Sequence, residues 1–409
     1  MNEPIFIARQ DTLEQEILPA HWLAQYKLFG EESYTFQDKE IWKKLCMSSA
    51  AANDRDMHAE ALEEMLTTFS AEHTGKWMLT VYGMDAAVLE GLASMAAIAA
   101  NGTAMAAVAG NALLMHAITN SETAMQAISR SQTAMQRIAN STTAMDAISG
   151  SKIARGAVQA SPYYNSYIKE NDMAIAKLVV SFANLASAGY SGMAGVAADA
   201  TAMNAVAASS TAMNAVAASS TAMNAVAASS TAMNAVAASS TAMNAVAASS
   251  TAMNAVAASS TAMTAVAASG VALKAIAQAY KKTANMLQFL KAVNASDTLV
   301  KRIYSTLTNA TALFGAAQLG SQDSVENANS WATTSAAPNA FLACACGYYG
   351  SSSDSVSVTY NGTVIAQKKT GTKQPGSVAS TNVNAITMAP STFTENGDGY
   401  LAVQKFTAK

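Results

Sequence analysis

From Thr201 to Ser260 the chain reads "TAMNAVAASS" six times without a change, and an altered copy, "TAMTAVAASG", follows to Gly270. An enzyme pocket needs unlike side chains converging on one point, whereas identical units build a periodic core or a periodic surface. Within each unit Met and Val stand three residues apart, as in Met203–Val206, Met213–Val216 and Met223–Val226. That spacing is helical, because strand partners on one face are separated by even numbers. A single continuous helix fits poorly. At about 100° per residue, a decapeptide turns about 1000°, so the apolar stripe would slip about 80° with every unit. A coiled coil needs a period near about 3.5, which ten over three does not supply.

The punctuation points to short helices. Units open on Asp199, Ser209, Ser219 and their successors, the residue types whose side-chain oxygens cap the free N–H groups of a first turn. Pro162 follows Ser161, in the first helical place where proline is tolerated. Gly110, Asn120, Asn140 and Gly150 stand just before the next cap, and such residues commonly end helices in a left-handed conformation. Each decapeptide is therefore expected to be one helix of about two turns. Helices this short are unstable alone and should stack unit on next unit, burying the Met–Val face.

A fainter copy of the array lies upstream. "NGTAMAAVAG", "SETAMQAISR", "SQTAMQRIAN" and "STTAMDAISG" keep methionine fifth and Val or Ile eighth, giving Met105–Val108 and Met125–Ile128. The frame slips by two near residue 190, within a stretch that follows the tyrosine-rich "SPYYNSYIKEND". The fold expected is mainly α: a solenoid or rod of short capped decapeptide helices, with an α-helical N-terminal head and a small C-terminal β domain. The main alternative is a multi-chain helical bundle, and a β-solenoid comes third. Boundaries fall at 1–90 (head), 91–190 (divergent repeats), 191–280 (near-identical repeats), 281–327 (helical neck) and 328–409 (β-rich tip).

Charge narrows the function classes. Residues 1–90 hold 16 acidic and 7 basic side chains, the remainder 11 and 17, and none lies between Asp199 and Lys274. Nucleic-acid binding would need clustered Lys or Arg, so it is excluded. Membrane insertion is excluded too, because four of ten repeat residues are Thr, Asn or Ser, and a span needs about 20 mostly apolar residues. No signal peptide is visible. Cys46, Cys344 and Cys346 make no disulfide framework, so folding in a reducing cytoplasm is expected. His58, His73, Glu63 and Glu64 match no metal-ligand spacing. Glu395 and Asp398 in "TENGDGY" suggest a hairpin turn more than a calcium loop. The last histidine is His116, which leaves no Ser-His triad in the repeats or the tip. No cofactor, metal or catalytic site is expected.

At the C-terminal end, "AFLACACGYYG", "DSVSVTYNGTVIAQ" and "GYLAVQKFTAK" alternate as strands, with Asn361–Gly362 as a type I′ hairpin signal. Tyr348, Tyr349, Tyr360, Asn361 and Tyr400 are the candidate receptor-binding residues. Aromatic faces beside hydroxyl and amide groups suit sugars, and the same tyrosines also suit a β core.

Strings such as "STAMNAVAASSTAMNAVAAS" and "SETAMQAIS" resemble the TAMxAVA/AIA repeats of tail-fibre or collar-fibre proteins of large tailed bacteriophages, over about residues 95–280. The resemblance implies a virion structural protein, made in the host cytoplasm, that spaces a particle-anchoring end from a host-facing tip. Candidate partners are then other virion proteins at the head, further copies of the chain, and a host-surface glycan or protein at the tip. A bacterial surface adhesin or spacer, and a Thr/Ala-repeat ice-binding protein, are the alternatives.

Overall fold

A computed structural model describes residues 95–279, 286–322, 330–333, 339–348, 355–369, 378–379, 383–388, 391–396 and 399–409, with residues 88 and 92. The head expected at 1–90, with its histidine–glutamate group, lies outside the described residues apart from residue 88. The described part is mainly helical, with a small C-terminal antiparallel sheet region. It divides into two units, residues 1–181 with 186–191, and residues 182–185 with 192–409.

In the first unit the helices are α1 (Met95–Ala100), α2 (Gly102–Gly110), α3 (Ala112–Asn120), α4 (Glu122–Ser129) and α5 (Gln132–Ala139). They continue as α6 (Thr142–Gly150), α7 (Lys152–Gln159), the one-turn α8 (Tyr164–Tyr167) and α9 (Asp172–Phe182). The second unit opens with α10 (Met193–Ala198), α11 (Ala200–Ala208), α12 (Ser210–Ala218), α13 (Ser220–Ala228) and α14 (Ser230–Ala238). Next come α15 (Ser240–Ala248), α16 (Ser250–Ala258), α17 (Ser260–Ala268), α18 (Gly270–Gln278), α19 (Met286–Asn294) and α20 (Asp297–Asn309).

One residue both ends a helix and starts the next. The Ser219 N–H donates to the Val216 carbonyl at 3.1 Å, which closes α12, and the Ser219 carbonyl accepts from Met223 N–H at 3.0 Å, which opens α13. Its hydroxyl oxygen accepts from Ala222 N–H at 3.1 Å. The residue is extended, with φ −99° and ψ 126°. This corrects the expected left-handed stops. Gly110, Asn120 and Gly150 are ordinary last helical residues, and Asn140 has φ −100°. The extended cap itself redirects the chain, so no positive φ is needed; α17 and α18 are set 96° apart.

Helices α11 to α17 each bury four residues. In α12 they are Ala212, Met213, Val216 and Ala217, so alanine flanks each of the two larger residues. Met105, Val108, Met125, Ile128, Met203, Val206, Met213, Val216, Met223 and Val226 are all fully buried. Full burial of a Met or Val side chain contributes about 1.5–3 kcal/mol, which supports helices too short to stand alone.

The principal partner is not the next helix, as the sequence suggested, but the third one on. In the first unit α1 packs on α4, α2 on α5, α3 on α6 and α4 on α7; in the second, α10 through α17 each pack on α13 through α20 in the same step. Cap hydroxyls follow the same period. Ser229 donates to the Ala197 carbonyl at 2.6 Å and Ser239 to Ala207 at 2.6 Å. Ser131 and Ser141 do so to Ala99 and Ala109 at 2.6 and 2.5 Å. Each of these bonds reaches 32 residues back.

The C-terminal strands are β1 (Phe314–Gln322), β2 (Ser330–Thr333), β3 (Ala340–Tyr348), β4 (Ser355–Tyr360), β5 (Thr363–Lys369), β6 (Val383–Met388), β7 (Ser391–Asn396) and β8 (Gly399–Ala408). They form two four-stranded sheets, β1-β8-β3-β6 and β2-β7-β4-β5. Strand β1 lies inside the stretch read as helical neck, because Phe314 pairs with Ala408 at the far end of the chain. The turn expected at Glu395–Asp398 falls partly outside the described residues, and the strands that flank it, β7 and β8, belong to different sheets. Asn361–Gly362 does turn a hairpin, with φ of 48° and 74°, the left-handed pair that a type I′ turn requires.

The sheet region is joined to the array by paired polar groups. Asn294, buried at the end of α19, donates to the Ile386 carbonyl at 2.7 Å and accepts from the Ile386 N–H at 3.0 Å. Its amide thereby pairs with edge strand β6 as a peptide would. On α20, the Tyr304 hydroxyl donates to the Val378 carbonyl at 2.6 Å, and its ring meets Phe406 edge-on at 5.7 Å. Gly270 marks where the repeat had to change. A Cβ there would stand 3.0 Å from the Ala310 Cβ and 3.1 Å from the Leu313 Cδ1.

Two outcomes follow from this packing. Ser239→Ala removes a cap and orphans a carbonyl, and should cost about 2–4 kcal/mol in denaturant unfolding. Gly270→Ser restores the repeat wording yet should lower stability by about 1–3 kcal/mol through overpacking, whereas Ser220→Gly, at the matching but exposed place, should stay within about 1 kcal/mol. Equal losses for the two glycine-site variants would remove the packing explanation.

Candidate functional site

The sequence placed recognition at the tyrosines of the β region. Tyr360 ends β4 and is 5% exposed, so it packs the sheet core, the other role that alternation allowed. Asn361 is exposed at the hairpin turn. Tyr348 and Tyr400 are carried at neighbouring ends of β3 and β8, where Gly347 pairs with Tyr400 and Tyr348 with Gly399. Tyr349 lies outside the described residues. The register therefore brings Tyr348 and Tyr400 to one end of the first sheet and leaves Tyr360–Asn361 on the second. Val364, 51% exposed on β5 beside the turn, is an apolar surface residue that the sequence reading did not single out. Its signal was present: it falls two residues after Gly362 in an alternating strand.

The first unit holds a polar cluster that sequence reasoning missed. Lys177 on α9 is 1% exposed, surrounded along its own helix by buried Ala174, Ile175, Ala176, Leu178 and Val179. Its ammonium meets the Asp146 carboxylate on α6 at 2.5 Å and the Ser187 carbonyl at 3.4 Å. The Ser187 hydroxyl donates to the same carboxylate oxygen at 3.0 Å. Asp146 takes the place in its unit that Asn or Gln holds in others. That single change was the only available signal, since the lysine stands 31 residues away. Three groups tie α6, α9 and the segment after α9 together.

Nearby in sequence, α8 replaces a full repeat helix with one turn bearing Tyr164 and Tyr167. Gln132 donates its amide to the Tyr167 hydroxyl at 2.6 Å. Burial, and then the Glu170 carboxylate, push the Tyr164 phenol above its ordinary range, so it is neutral at physiological pH. Among the described residues no group of three or more His, Cys, Asp or Glu is placed to hold a metal. Cys344 is fully buried in the first sheet. No single described helix is long and apolar enough to cross a membrane.

Comparison with protein-family models finds no match, and comparison with curated proteins finds none either.

The buried pair gives a measurable expectation. Asp146→Asn leaves an ammonium buried without its counter-charge and should cost about 3–5 kcal/mol, while Asp146→Asn with Lys177→Met should recover most of that loss. A double-mutant cycle in urea reads both. A double variant no more stable than Asp146→Asn alone would mean that charge pairing is not what the cluster supplies.

Proposed function

We propose that the chain is a structural spacer whose decapeptide array coils as a solenoid of three helices per turn. The observation that carries this reading is the cap hydroxyl that donates to a carbonyl 32 residues earlier, again and again along both units. Third-on packing of the helices supports it independently. A unit that must find its partner three units away, through identical small residues, is suited to extension.

The particular setting we propose is a bacteriophage virion, as a tail or collar fibre protein, with the β region presented to the host surface and the opposite end held by other virion proteins. Support is the wording of the repeat together with the change of grammar at the C-terminal end, where helices give way to a two-sheet region. An ice-binding role has less support, because Thr201 and Thr211 are exposed while the same position from Thr221 to Thr261 is partly covered.

The spacer reading is tested on the full-length chain by cysteine cross-linking with a short bismaleimide. Asn224→Cys with Asn254→Cys, thirty residues apart and both exposed, should link, since stacked helices stand about 8–10 Å apart. Asn224→Cys with Asn244→Cys should not. Equal linking of both pairs would reject three helices per turn. The virion reading is tested by gold-labelling the C-terminus in purified particles, where label at the free end of a fibre is expected and unlabelled particles would overturn it. Recognition by the tip is tested by replacing Tyr348 and Tyr349 with Ala in the full chain and measuring adsorption to host cells, which should fall at least tenfold with helical content unchanged. Undiminished adsorption would move recognition away from these tyrosines.

A further inference from the structure

We infer that the array does a second job: it sets the direction in which the C-terminal sheet region faces, in steps of one third of a turn per decapeptide. The inference rests on the three-per-turn coil and not on the virion setting. It begins from the rigid join at the end of the array. Helices α16 and α17 are covered by α19 and α20, and the side of α18 is covered by β3 and β8. One full turn of the array is thus closed by three non-repeat elements, one for each side. The Asn294 amide on Ile386, the Tyr304 hydroxyl on Val378 and the Thr306 hydroxyl on the Ala267 carbonyl at 2.7 Å fix that closure. The sheet region therefore travels with α18 as one piece.

Upstream of α18 the units from Thr201 to Ser260 are identical, so any of them accepts the same neighbour three units on. From Ser229 to Ser269 each cap hydroxyl donates to the carbonyl 32 residues back, whichever copy supplies it. Removing one unit costs no contact inside the array, yet it moves everything after the deletion back by one side of the coil. Removing three restores the original side and shortens the array by one layer, about 8–10 Å. Length and facing direction are consequently not independent. Multiples of three units change length alone, and any other number changes both.

The test uses the full chain with Asn224→Cys and Lys274→Cys, fifty residues apart in sequence, the second half-buried on α18, the helix that meets β3 and β8. In the parent these positions lie on different sides and should not link. Deleting residues 231–250 leaves them thirty apart, on one side in adjacent layers, and a strong cross-link should appear. Deleting 231–240 or 231–260 should give none. Linking is read as a gel shift against single-cysteine controls, and circular dichroism reports whether helical content scales with the units left. A link in all three deletion variants, in none of them, or in the wrong one overturns the inference, as does loss of folding in any of them. Failure of the Asn224–Asn254 pair in the parent would instead reject the coil itself, so the two failures are distinguishable.

Discussion

Every helix leaves unpaired N–H groups at its start and unpaired carbonyls at its end, and the shorter the helix the larger the share of its backbone left in this state. An array of nine-residue helices such as α12 to α18 meets that demand at every tenth residue. Ser229, between α13 and α14, answers it by using all of its polar atoms. Its N–H closes one helix, its carbonyl and hydroxyl oxygens open the next, and its hydroxyl proton goes to a carbonyl 32 residues behind. That last bond satisfies a free carbonyl at the end of an earlier helix, so local capping and long-range stacking are one interaction. Asp and Asn can accept at a cap, as Asp199 and Asn101 do, but their carboxylate and amide cannot reproduce the hydroxyl's paired donor and acceptor at one atom.

The same economy explains why the array needs an end. Identical helices bury Ala-Met and Val-Ala pairs against a partner three units on, so the last turn would expose those pairs to water. Here Leu273 and Ile276 replace the Met and Val of α18, Gly270 replaces the usual serine to admit Ala310 and Leu313, and a sheet takes the place of the missing helix. Departures from the repeat wording occur where the neighbour ceases to be a repeat. The first unit shows the same logic with charge: Asp146 departs from the unit's usual amide where Lys177 and Ser187 need a carboxylate.

The repeat helices and their N-cap positions were legible in the sequence, because Met–Val spacing and cap chemistry are local rules that hold wherever the chain repeats, whereas the helix ends were misplaced. The buried alanines were not legible, since an alanine is equally at home exposed and only its neighbour decides. Nor was the β1 strand, whose small residues "FGAAQLGSQ" carry no strong period of their own and acquire one from β8. Tyr360 was legible as a β residue but not as a core one, because alternation says which positions share a face and not which face is covered.

What the sequence determined alone was the unit: ten residues, one helix, an N-cap and an apolar stripe. What only the tertiary structure decided was the partner. Identical units make every neighbour equally acceptable by composition, so nothing in their wording says whether a helix packs on the next unit, the third or another chain. The extended backbone of the cap residue sets the angle between successive helices, and that angle brings the third unit, not the next, within reach of the stripe and of the serine hydroxyl.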